Sequence, residues 1–71
     1  MSQFIRNLIA KKVQYYRTRL KLSREELSLQ LDLDNSYISK LERGKINLTI
    51  DKLAKIIEYF NVTIEEFFSE Q

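Results

Sequence analysis

Backbone punctuation is nearly absent from this chain: it holds no proline, and Gly44 is its one glycine. A sequence so poor in breakers favours helices joined by short turns. Ile5, Ile9, Val13, Tyr16 and Leu20 recur at three- and four-residue steps, which predicts one face of a helix over roughly residues 4–20. Ser23 opens the run "SREE", a capping box with Glu26 at the third helical position, so a second helix starts there with Leu27 and Leu31 inward. "DLDN" (residues 32–35) breaks the pattern with turn-forming residues. Asp34 or Asn35 is expected to cap a third helix, with Ile38 and Leu41 inward and Gly44 as its stop. Thr49 is expected to cap a fourth helix, whose apolar stripe is Leu53, Ile56 or Ile57, and Phe60, and which Asn61 ends. "VTIEEFF" predicts a short fifth helix capped by Thr63. The expected fold is an all-α bundle of five helices, one domain over residues 1–71.

Composition removes most chemistries. The 71 residues include no cysteine and no histidine, so disulfides, thiolate chemistry, zinc sites and histidine-based catalysis are excluded. Asp32 and Asp34 are close carboxylates, with Asp51 at most beside them. Without a histidine, a thiol or a glycine-rich loop, paired acids in a turn read as caps rather than catalysts. The ligand spacing of a calcium loop is also missing. No enzymatic activity, metal or other cofactor is expected, and no pocket or sensor segment for a small-molecule ligand is evident. No run approaches 18 apolar residues, and the N-terminus lacks a long apolar stretch with a cleavage site. A cytoplasmic protein without a membrane partner is expected.

Charge is unevenly placed. The net charge is +2, yet residues 1–55 hold all 12 Lys and Arg against 6 acidic residues, a balance of +6. Residues 56–71 hold 4 acids and no base, a balance of −4. A basic body with an acidic end fits one face for a polyanion and one end for another partner, though solvated surface charge has the same composition. The third helix sharpens the choice. It is anchored by Ile38 and Leu41, three residues apart, and it displays Asn35, Ser36, Ser39, Lys40 and Arg43 around the rest. Two short helices joined by a few residues have the geometry of a helix-turn-helix, whose second helix enters the DNA major groove. A helix held by a narrow apolar seam can lay its other side in a groove about 12 Å wide.

The stretch "LSREELSLQLDLDNSYISKLERGKINLTIDKLAKI" (residues 22–56) resembles the helix-turn-helix family of phage repressors and Cro proteins. More narrowly, it is similar to the controller proteins of restriction–modification systems, through Asp34, Tyr37, Ile38, Ser39, Glu42 and Arg43, then Asn47 and Thr49. The resemblance implies a homodimeric regulator of transcription that binds double-stranded DNA. It implies a buried ion pair between Arg17 and Glu42, and a phosphate contact at Arg24. It places Asn35, Ser36, Tyr37, Ser39 and Lys40 in the groove-facing set, and Arg43, Lys45 and Asn47 in a loop that grips the DNA backbone. Tyr37 has two possible places, packed on the second helix or at the sugar–phosphate edge.

Two residues depart from the family pattern. Asp32 stands where the family usually has glycine, at a turn that needs positive φ. Asn35 and Ile46 stand where controller proteins often carry arginine, so the operator read here should differ. A dimer surface is expected at the acidic, aromatic end, from Ile64 and from Phe67 or Phe68, one of which should fill the core while the other reaches outward. The competing function is an antitoxin or antirepressor acting through protein contacts. Such a surface would show exposed aromatics on the third helix in place of its polar, basic set.

Overall fold

The computed structural model describes residues 2–70. Five helices follow one another: α1 (Gln3–Arg19), α2 (Arg24–Gln30), α3 (Tyr37–Glu42), α4 (Ile50–Phe60) and α5 (Ile64–Phe68). No strand occurs among the described residues.

Most starts are set within four residues of chain. The Ser2 hydroxyl accepts from the Ile5 N–H at 3.1 Å, and the Thr49 hydroxyl from the Lys52 N–H at 3.1 Å. Both expected capping boxes close fully. The Glu26 N–H donates to Ser23 Oγ at 3.0 Å while the Ser23 N–H donates to Glu26 Oε1 at 2.7 Å. The same exchange joins Thr63 and Glu66 at 3.0 and 2.8 Å. The Ser23 N–H, then its hydroxyl, hold the Glu26 carboxyl below its ordinary pKa.

Helix α3 starts differently, and the expected cap by Asp34 or Asn35 is corrected. Ser36 occupies the cap position with φ −96° and ψ 0°, and its side chain caps nothing. Its hydroxyl donates instead to Asp34 Oδ2 at 2.6 Å, while the Asp34 carbonyl accepts from the Tyr37 N–H at 2.9 Å. A near-helical backbone at Ser36 leaves the orphan donors of the first turn out of reach of local side chains. Ser28 of α2 fills the gap. Fully buried, it accepts from the Ile38 N–H at 3.1 Å and donates to the Arg24 carbonyl at 3.0 Å. The second helix thus caps the third, and one hydroxyl ties the two sides of the corner together.

The stops share one geometry. Lys21, Asp32 and Gly44 have φ of +58°, +58° and +71°, and each is followed by an N–H that reaches back to a carbonyl in the last turn: Leu22 to Arg17, Leu33 to Ser28, Lys45 to Lys40. This is the Schellman arrangement. Asp32 takes the positive φ expected of it, and Asn61 ends α4 at φ +59°.

The core gathers Ile9 and Val13 of α1, Leu27 and Leu31 at α2, Ile38 and Leu41 of α3, Leu48, Ile56, Ile57 and Phe60 around α4, and Phe67 of α5. Ile56 and Ile57 are both buried, so α4 turns a wide apolar face inward. The α1 stripe is shorter than its periodicity implied: Ile5 and Leu20 are 45% and 50% exposed. At 1.5 Å per residue α1 runs about 25 Å, and the longest dimension of the molecule is 25 Å, so its ends outrun the core.

Tyr16 stacks on Phe60 and on Phe67, with ring centroids 5.3 and 5.8 Å away, and its hydroxyl donates to the Glu66 carbonyl at 3.1 Å. The buried Lys12 ammonium donates to the Ser69 carbonyl just past α5. Phe67 is fully buried in its own chain, which removes it from the expected dimer surface. Successive helical residues point about 100° apart, so Phe68 turns outward and stays 36% exposed, with Ile64 58% exposed.

Ser28→Ala should lower unfolding stability by about 1–2 kcal/mol, since the buried Ile38 N–H loses its acceptor while alanine returns a little helix propensity. Urea denaturation with an unchanged m-value checks this.

Candidate nucleic-acid interface

Helix α3 hides one side and shows the other. Ile38 and Leu41 are 0% and 4% exposed. Asn35, Lys40, Arg43, Lys45 and Asn47 are exposed, and Ser36, Tyr37 and Ser39 are half-buried. An open groove of about 370 Å³ is lined by Ser23, Arg24, Glu25, Asn35, Ser36 and Ser39, so the start of α2 and the outer face of α3 form one surface. Arg43, Lys45 and Asn47 continue it along the chain between α3 and α4.

One carboxylate holds this surface to the body. Arg17 Nε donates to Glu42 Oε2 at 2.7 Å and Arg17 Nη2 to Glu42 Oε1 at 3.1 Å, a two-pronged pair with the Glu42 side chain 3% exposed. Arg17 Nη1 also donates to the Leu22 carbonyl at 2.8 Å. The two residues expected as a buried pair are therefore in contact, across 25 positions of sequence. Arg24 adds a third member: its Nε donates to Glu42 Oε1 at 2.9 Å. Its side chain is still 50% exposed, so the position assigned to a phosphate contact is also a structural one. Arginine has five N–H donors and here Nε serves the carboxylate, which leaves donors for a second acceptor.

Tyr37 lies inward. Its hydroxyl is buried without a hydrogen-bond partner, and Lys52 Nζ sits 5.1 Å from its ring centroid. Burial pushes its phenol above the ordinary tyrosine pKa. Of its two possible places, the packed one is occupied, against the core and under α4 rather than on α2 alone. Asp34 is held below its ordinary pKa chiefly by the Ser36 hydroxyl, so Ser36 meets any ligand with its proton already directed at a carboxylate. Asn47 accepts from Arg6 Nη2. Ser28 and Arg6 were not among the residues singled out from sequence. Ser28 had a signal, a small polar residue beside inward-facing Leu27; Arg6 had none.

With the corner, its polar outer face and its basic loop in place, the family can be read directly. A helix-turn-helix family model matches residues 13–67. The chain belongs to the helix-turn-helix family of DNA-binding regulators. Among helix-turn-helix relatives, it is similar to control protein C.MunI of a Mycoplasma species, 41% identical over 49 residues, which cover 69% of this chain and 66% of that one. It is also similar to control protein C.BamHI of Bacillus amyloliquefaciens, 36% identical over 63 residues, 87% of this chain and 78% of that one. A variant of the restriction–modification controller protein C.Esp1396I superposes with a TM-score of 0.83 at 29% identity, over 96% of this chain and 86% of that one. No described helix is long and apolar enough to cross a membrane.

Arg17→Ala should destabilise the fold by about 3 kcal/mol, because it strands a buried carboxylate. The value falls at the low end of such losses because Arg24 keeps one hydrogen bond to Glu42. Arg24→Ala, at a half-exposed site, should cost about 1 kcal/mol or less. Thermal melts of the two variants side by side give the comparison.

Proposed function

We propose that this chain binds operator half-sites in double-stranded DNA as a homodimer and regulates transcription, as a controller protein of a restriction–modification system working in the cytoplasm without a catalytic step. The observation that carries the reading is the polarity of α3: two buried anchors on one side, and Asn35, Ser36, Ser39 and Lys40 on the side that faces away. The similarity to C.MunI, C.BamHI and C.Esp1396I supports the controller role.

Roles follow from chemistry and position. Asn35 stands just before α3, where side chains of this motif meet base edges. Its amide donates one hydrogen bond and accepts another, the pattern adenine offers at N7 and N6. Lys40 and Ser39 extend the contact along the groove. Arg24, Arg43, Lys45 and Asn47 hold the sugar–phosphate strands and set register, carrying no base code themselves. One such corner reads a half-site, and a dimer supplies two at fixed spacing. Ile64 and Phe68, exposed and adjacent on α5, offer the apolar patch for pairing. The acidic residues around them keep that end away from DNA.

Selection of sites from random duplex DNA tests the reading and should return a two-fold symmetric motif. Asn35→Arg should move one position per half-site toward guanine by about 1–3 kcal/mol, while Lys45→Ala weakens all sequences about equally. An unchanged motif with a lowered melting temperature would reduce Asn35 to a stabilising turn residue. In sedimentation, Ile64→Ala and Phe68→Ala should each raise the dimer dissociation constant about tenfold while remaining folded. If neither dissociates more readily, the interface lies elsewhere.

A further inference from the structure

The first turns of α1 reach over to the basic loop. Gln3, Arg6 and Asn7 lie three and four residues apart, and so share one helix face. Gln3 Nε2 donates to the Gly44 carbonyl at 3.3 Å and to Asn7 Oδ1 at 2.9 Å. Arg6 Nη1 donates to Gln3 Oε1 at 3.3 Å, and Arg6 Nη2 donates to Asn47 Oδ1. The approach is close: a Cβ on Gly44 would stand 2.7 Å from Asn7 Oδ1 and 2.8 Å from Gln3 Nε2. The one glycine of the chain therefore serves both a positive φ and this contact.

Arginine only donates, whereas a side-chain amide donates at one end and accepts at the other. A guanidinium beside the oxygens of Gln3 and Asn47 fixes which way both amides face. Asn47 then has its carbonyl taken and its NH2 group left over, on an exposed residue two positions after Lys45. Phosphate oxygens only accept. The reversed amide would set oxygen against oxygen.

We infer that Arg6 is a positioning residue for DNA: it orients the Asn47 amide so that its NH2 donates to a phosphate, and it pins the Gly44–Asn47 loop to α1. The inference rests on the DNA-binding reading above. In this role Arg6 acts through the amides: Nη1 and Nη2 each give one hydrogen to an amide oxygen, and Nε is buried without a partner. A direct phosphate contact would fall to the remaining Nη hydrogens, and the salt dependence below separates that role from this one.

The test is a double-mutant cycle in fluorescence anisotropy, using the duplex selected by the wild-type protein at several salt concentrations. Arg6→Met and Asn47→Ala should each weaken binding about three- to tenfold per subunit, equally on matched and mismatched duplexes. The double variant should bind no more weakly than Asn47→Ala. The salt slope of Arg6→Met should equal that of wild type, whereas a lost phosphate contact would make it shallower by about two per dimer. Arg6→Lys keeps the charge but loses the fork, and should behave like Arg6→Met. A second readout needs no DNA: 15N relaxation of the Asn47 side-chain amide should show order in wild type and its loss in Arg6→Met. Additive losses, a shallower slope, full activity of Arg6→Lys, or unchanged relaxation would each overturn the inference while leaving DNA binding intact. Failure of the wild-type protein to select any duplex would overturn the DNA reading itself, and with it the phosphate role of Asn47.

Discussion

The Glu42 carboxylate is the point on which the rest of this structure turns. It ends α3, it is almost sealed from solvent, and it receives Arg17 from α1 and Arg24 from α2. Three helices thereby meet at two oxygen atoms. An unpaired carboxylate in that position would have to return to water or take up a proton, and either would free the end of α3. Replacing such a cluster with apolar side chains could hold the helices as firmly. It would not leave a half-exposed guanidinium at the edge of the surface that faces outward. One group therefore ties the body to the outer surface, with Arg17 on the buried side of it and Arg24 on the exposed side.

A related economy shapes α3 itself. Six residues make a helix too short to stand alone in water, and this one has no side-chain cap from its own N-cap residue. Ser28 of α2 accepts at its start, and Arg17 of α1 holds the Glu42 side chain at its end, so other helices grip both of its termini beside the local turn at Gly44. Little of its surface is spent on self-support. The outward residues are then free to be chosen for contact, which is why so polar a segment persists beside a dry core.

What was legible in the sequence was what acts within a few residues. The capping boxes at Ser23 and Thr63, the Thr49 cap, the stops at Gly44 and Asn61, and the apolar steps of α2 and α4 involve neighbours within one or two turns. Where two local readings competed, as for the cap of α3, the winner was a hydroxyl 10 residues away from the N–H it serves. The Arg6–Asn47 and Lys12–Ser69 contacts span 41 and 57 residues and left no trace in periodicity or spacing. The Arg17–Glu42 pair was reached through family resemblance, because neither residue differs locally from a solvated charge. Burial of Phe67 over Phe68 depended on the roll of a five-residue helix, which adjacent phenylalanines do not disclose.

The place of Phe67 bears on how far the outer surface depends on distant parts of the fold. Its ring sits at 0% exposure against Tyr16, yet it belongs to the shortest of the five described helices. The other four helices without α5 would carry a hole where that ring belongs, a deficit of about 3–5 kcal/mol by analogy with truncated core phenylalanines. A domain of this size has roughly that much stability in total. The corner formed by α2 and α3 therefore depends for its stability on a ring that lies outside it in sequence. A change at that ring is therefore felt at the outer face of α3 with no residue of that face altered.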